Sequence, residues 1–151
     1  MIKSIRSALL ALACCAIPLA SWALASQKDA QDIVEKAAAY AASHGKDQLI
    51  AEVNKKDGPF VSGDLYVFVF NEKGITIAHP VNPALIGKDN VNEPDADGKL
   101  FRKEIVQVAE TKGSGWVNYK FKNPANGNIE PKISYVKKQG DVIIIAGVYL
   151  K

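Results

Sequence analysis

The chain reads as an α+β fold, an antiparallel five-stranded sheet with an N-terminal helix on one face and a central loop-helix segment on the other. Three observations predict it. Apolar residues recur at helical spacing over residues 26–55, and the period then changes to two at residues 65–70. The strand-like segments fall into two groups joined internally by short turns, which makes neighbouring strands antiparallel. One long connection, residues 81–112, carries a helix across one face and leaves the other face to the N-terminal helix.

Residues 1–25 stand outside this fold. Lys3 and Arg6 precede an uncharged apolar run over residues 8–20, which Pro18 breaks near its end. Ala23 and Ala25 then put small residues at the two positions a signal peptidase reads, so cleavage is expected after Ala25. A retained anchor is the competing reading, because the uncharged stretch 7–26 is about long enough to span a bilayer. The alanine content, Pro18 and the cleavage site favour removal. Ala11 stands three residues before Cys14, and Cys14 itself precedes Cys15, a poor pattern for lipid attachment.

Removing 25 of 151 residues leaves 126, read as a single domain over residues 26–151 with room for a core. Both cysteines leave with the leader, and with them any disulfide, thiol nucleophile or thiolate metal site. Lys3 and Arg6 leave too, so 17 basic residues face 16 acidic ones and the net charge is +1. That balance argues against a nucleic-acid partner, which requires a concentrated basic face. The mature chain has no second hydrophobic span. It is expected to be soluble, periplasmic or secreted.

In the first helical piece Val34, Ala37, Ala38 and Ala41 share a face, and alanines there fit close packing on a sheet. Gly45 interrupts, and a second piece turns Leu49, Ile50 and Val53 inward. Residues 65–70 form a strand with Tyr66, Phe68 and Phe70 on one face and Leu65, Val67 and Val69 on the other; both faces are apolar, so both are covered. Asn71-Glu72-Lys73-Gly74 is a hairpin turn, and residues 75–79 return before Pro80. Residues 81–99 form a loop of a length that is usually functional. Residues 100–112 are helical, with Phe101, Ile105, Val108 and Ala109 inward. Residues 116–121, 132–137 and 142–150 are the remaining strands.

This order is the layout of a PAS-like sensor domain. From about Asp64 to Leu150 the chain resembles the single Cache domain family, type 2, whose members are extracytoplasmic sensor modules of chemoreceptors and sensor kinases. The resemblance lies in Leu65-Tyr66-Val67-Phe68-Val69-Phe70, Gly74-Ile75-Thr76-Ile77-Ala78-His79-Pro80 and Asn82-Pro83-Ala84-Leu85-Ile86-Gly87-Lys88. It continues in Asp95-Ala96-Asp97-Gly98-Lys99, Gly113-Ser114-Gly115-Trp116-Val117-Asn118-Tyr119, Pro131-Lys132-Ile133-Ser134-Tyr135-Val136 and Gly147-Val148-Tyr149. It implies a pocket for small organic acids, often short carboxylates. The usual receptor continues into a second membrane helix and a signalling domain, whereas this sequence stops at Lys151, as in stand-alone secreted members.

A carboxylate pocket needs a cation, hydrogen-bond donors and aromatic walls. Lys132 is the first candidate: the resemblance matches it to a ligand contact, and an inward cation in mid-sheet is costly without an anion. Ser134 shares its face. Tyr135 offers a hydroxyl, but alternation puts it opposite Lys132 unless the strand bulges. His79 is a candidate donor. Tyr66, Phe68, Phe101, Trp116 and Tyr119 are candidate wall residues, each with plain core packing as the alternative. Arg102 is a second candidate cation, with a solvated side chain as the alternative.

Asp95-Ala96-Asp97-Gly98 looks like the start of a calcium loop, but its twelfth position is Val106, so an Asp-Gly turn is the reading. No metal site, cofactor motif or catalytic constellation is expected, and an enzyme built on His79 with Asp95 or Asp97 ranks last. The expected function is sensing of a small organic anion together with a separate membrane sensor kinase or chemoreceptor. Homodimerisation through the N-terminal helix is a further expectation. The alternative is a structural or protein-interaction domain whose pocket is filled.

Overall fold

The computed structural model describes residues 24–150, so Lys3, Arg6, the apolar run over residues 8–20 and both cysteines, on which the expected leader rests, lie outside the described residues. The elements are α1 (Gln27–His44), α2 (Lys46–Val53), β1 (Val61–Ser62), β2 (Leu65–Asn71), β3 (Thr76–Ala78), α3 (Phe101–Lys112), β4 (Ser114–Lys122), β5 (Ile129–Gln139) and β6 (Val142–Tyr149). A short 3-10 turn, Pro83–Leu85, sits in the long loop. The sheet is antiparallel in the order β1-β2-β6-β5-β4, with β3 paired to the same edge of β2 as β1. It has six strands rather than five. The addition is the two-residue β1, which folds back on Leu65 and Tyr66 and is too short to show a period.

α1 starts where Ser26 caps it: the Ser26 side chain accepts from Asp29 N (3.2 Å), and Asp29 returns a bond to Ser26 N (2.7 Å). Gly45 ends α1 and begins α2. Ala30, Val34, Ala37 and Ala38 are buried beneath α1, which lies across β5 and β6. Its outward residues Gln31, Asp32, Lys36, Ala39, Ala42 and Ser43 are exposed.

Alternation along the strands divides the core into two clusters. One joins α1 and α2 to Leu65, Val67, Val69, Ile144, Ala146 and Val148. The other joins α3 to Tyr66, Phe68, Phe70, Val117, Tyr119, Val136, Ile143 and Ile145. β3 breaks its own alternation: Ala78 pairs with Val69, but Thr76 pairs with Phe70, so the intervening Ile77 is an extra residue. This bulge sends Ala78 to the helix-covered face and Thr76 to the α3 face.

Candidate functional site

The α3 face does not close completely. A cavity lies between the sheet and the loop-helix segment, lined by Tyr66, Phe68, Phe70, Thr76, His79, Leu85, Phe101, Arg102, Tyr119, Phe121 and Lys132. The space open to the centre of a water-sized sphere is about 20 Å³, enough for one water and a little more. A wider surface groove near Asp64, Asn123 and Tyr149 has no basic residue in its lining.

Lys132 enters from the middle of β5 and is 1% exposed. Its Nζ donates to Tyr66 Oη (3.3 Å) and lies 4.6 Å from the Tyr66 ring centre and 4.8 Å from that of Tyr149. Burial works against its charge. The phenol oxygens of Tyr119 and Tyr66, and then the more distant Asp64 carboxylate, favour it, and the balance holds the ammonium above the usual lysine range. Gly147, opposite Ser134 on β6, makes room for this side chain. A Cβ there would stand 2.0 Å from Ser134 Oγ, 2.7 Å from Ile133 O and 2.9 Å from Lys132 Cε.

Arg102 opens α3 and is 8% exposed, so it is not solvated. Its guanidinium lies 4.4 Å from the Phe101 ring centre, and Nη1 donates to the carbonyls of Asn90 (3.4 Å) and Glu93 (3.5 Å). Burial pulls its pKa below the usual range against the pull of Glu93. Among the described residues neither Arg102 nor Lys132 takes part in an ion pair. Two buried cations thus line one cavity, with no carboxylate of the described residues in salt-bridge contact with either.

The neutral groups complete the wall. Tyr119 Oη and Ser134 Oγ share a hydrogen bond (2.9 Å), and burial pushes the phenol up, keeping it protonated. Phe101 stacks on Tyr119 with ring centres 4.2 Å apart. His79 packs against Tyr66 and Phe68. Burial, and then the charge of Lys132, lower its pKa to about 3, so the ring is neutral. Its Nδ1 accepts from Asn82 N (2.9 Å), which assigns the ring proton to Nε2 as a donor.

The fold therefore brings Lys132, Ser134, His79, Tyr66, Phe68, Phe101 and Tyr119 together. It does not bring Trp116 or Tyr135 to them. Those two pack on each other at 5.1 Å across the helix-covered face, and Tyr135 Oη reaches Glu35 of α1 (3.3 Å). β5 does not bulge in its pairing with β4 or β6, so alternation keeps Tyr135 opposite Lys132. Phe70, Thr76, Leu85 and Phe121 also line the site, beyond the residues expected from the sequence. Phe70 and Phe121 were readable by counting two from Phe68 and Tyr119; Thr76 was hidden by the β3 bulge, and Leu85 lies in a loop without a period.

Comparison with known proteins agrees with this architecture. The chain is 32% identical over 89 residues to the sensor histidine kinase MctS of Rhizobium johnstonii, covering 58% of this chain and 19% of that protein. It is 36% identical over 76 residues to the methyl-accepting chemotaxis protein McpP of Pseudomonas putida, covering 49% and 14%. It thus spans at most about a fifth of these relatives. A periplasmic sensor domain of a chemotaxis protein superposes with a TM-score of 0.66 at 26% identity, covering 82% of this chain and 90% of that one. A Cache chemosensory domain, presented as a structural basis for carboxylic acid recognition, superposes with a TM-score of 0.64 at 27% identity, covering 82% and 88%. Among the described residues no helix is long and apolar enough to cross a membrane. The model of the family Single Cache domain 2 matches residues 23–151, and the chain belongs to that family of extracytoplasmic sensor domains.

Proposed function

We propose that this domain senses a small organic acid outside the cytoplasm and acts with a separate membrane kinase or chemoreceptor. The observation that carries the reading is the pair of buried cations, Lys132 and Arg102, lining one cavity with Asp64 and Glu93 acting on them only from beyond salt-bridge contact. A buried charge is costly until an anion compensates it, so the cavity favours a carboxylate. Lys132 and Arg102 hold its oxygens, and Tyr66, Tyr119, Ser134 and His79 Nε2 supply further donors. Phe68, Phe70, Phe101 and Phe121 surround the carbon chain. The cavity as it stands holds little more than one water, so a carboxylate is admitted only as the wall moves outward, which favours the shortest chains.

Export by cleavage after Ala25 belongs to the same reading. The cut falls just before Ser26, so the side-chain cap of α1 survives it. Intact mass of the exported protein checks the position.

The decisive experiment is a thermal-shift screen of the exported protein against short carboxylates and amino acids, followed by calorimetry. Saturating ligand raises the melting temperature by mass action. A second reading, a structural scaffold with a filled pocket, has support in the small size of the cavity and in the Tyr66 and Tyr149 rings around Lys132. A flat response across the whole set favours that reading over sensing.

A further inference from the structure

We propose that residues 88–94 form a flap beside the cavity, linked to it through Arg102, and that Arg102 draws the flap in when the cavity holds an anion. The proposal rests on the reading that this cavity takes a carboxylate.

Two anchors delimit the flap. At its start Gly87 N donates to Thr76 O on β3 (2.8 Å), with Gly87 at φ +79°, a left-handed conformation that few other residues tolerate. At its end Asp95 is fixed on three backbone N–H groups. Its Oδ1 accepts from Asp97 and Lys99 (2.9 Å each), and its Oδ2 accepts from Lys120 at the free edge of β4 (2.8 Å). Lys120 Nζ adds a bond to Asp97 (2.9 Å).

Between the anchors the bonds are mostly internal. Asn90 Nδ2 donates to Glu93 Oε2 (2.6 Å), and Glu93 N donates to Asn90 O (3.0 Å). These hold the flap's shape without holding it to the domain. Among the described residues, the hydrogen bonds that tie 89–94 to the body of the domain come from Arg102 Nη1, to the carbonyls of Asn90 and Glu93. At 3.4 and 3.5 Å they are long for hydrogen bonds. Lys88, Asp89, Asn92, Glu93 and Pro94 are exposed, and half-buried Val91 lies beside the Gly74 turn and adds an apolar contact.

Arg102 also lines the cavity. Its five N–H donors exceed what two weak bonds from one nitrogen employ. A carboxylate in the cavity takes the remaining donors in a two-pronged pairing and fixes the planar group. Nη1 then holds the Asn90 and Glu93 carbonyls in a defined geometry, and the flap tightens. Segment 95–99, already clasped to β4, has nothing to gain.

Hydrogen–deuterium exchange on the exported protein tests this, with sodium acetate, propionate and pyruvate as probes, sodium chloride as control, and calorimetry in parallel. With a probe that binds, exchange of the amides of residues 88–93 slows about three- to tenfold while 97–99 stay unchanged. Arg102→Gln exchanges faster over 88–93 without any probe and loses the response. Arg102→Lys, which keeps the charge but not the two-pronged fork, also loses the response and serves where the glutamine variant fails to fold. Binding by calorimetry with unchanged or faster exchange over 88–93 overturns the flap and leaves the site reading standing. A wild-type response in either folded variant overturns the role of Arg102. If none of the probes binds, both the flap and the carboxylate reading fall.

Discussion

The two faces of the central sheet are built from the same strands and spend them differently. Beneath α1, Val67, Val69, Ile144 and Ala146 meet Ala30, Val34 and Ala37 without a charged side chain inside the cluster. Beneath α3 the strands present Tyr66, Phe68, Phe70, Tyr119, Ser134 and Lys132, and the helix adds Arg102. The first face is close-packed with small and β-branched side chains, and its apolar burial stabilises the domain. The second carries aromatic rings, hydroxyls and two cations around a void, at a cost in desolvation. If the α3 face binds the proposed acid, stability and recognition are separated by the thickness of one sheet, and substitutions on the two faces should separate them as well.

The largest effect on folding is expected beneath α1. Ile144→Ala removes a side chain with no exposed surface and should cost about 2–5 kcal/mol, read as a lower urea midpoint. Carboxylate binding by the folded fraction should be retained. A loss of affinity as large as the loss of stability would break the separation.

Gly147→Ala tests the boundary between the two roles, because its new methyl meets backbone as well as the Ser134 and Lys132 side chains. Overpacking of this kind costs about 1–3 kcal/mol. Here affinity should fall with stability, since Lys132 must shift. A melting temperature and an affinity both equal to wild type would show that the strand relaxes freely around the addition.

Acid sharpens the contrast through His79. Its folded pKa of about 3 lies below the unfolded value of 6.5. Between these values the unfolded chain binds a proton that the folded one excludes, so stability falls as pH drops below 6.5 and the loss ends near 3. The contribution at pH 5 is about 2 kcal/mol, and His79→Gln should flatten that part of the curve. Urea midpoints at pH 7 and pH 5 for both proteins decide it; identical slopes would place the acid sensitivity elsewhere.

Lys132→Met should move stability least and function most. An apolar side chain of similar length replaces a buried ammonium, and such exchanges are neutral or stabilising. The melting temperature should hold or rise while carboxylate binding is lost at least about a hundredfold, in line with truncation of a buried charge partner. A large drop in melting temperature would assign Lys132 to the scaffold instead.

Much of this arrangement was legible from alternation. Lys132 and Ser134 are two apart and share a face, and Tyr135 falls on the other. The same count separates Trp116 from Tyr119, three residues away, and the two do lie on opposite faces. Arg102 was harder to place. It sits at the flank of the α3 stripe formed by Phe101, Ile105, Val108 and Ala109, where helical spacing alone permits burial or exposure. Thr76 was beyond reach, because a bulge that adds one residue to β3 reverses the parity on which face assignment depends.

Residue spacing alone places the helices, the principal strands and the two apolar faces. These follow from periodicity and turn chemistry, which act over a few residues. The tertiary structure decided that β3 bulges, that Gly147 clears a space for Lys132, and that Arg102 is buried between the cavity and the 88–94 loop. Each of these depends on contacts between segments far apart in the chain, which local spacing does not encode.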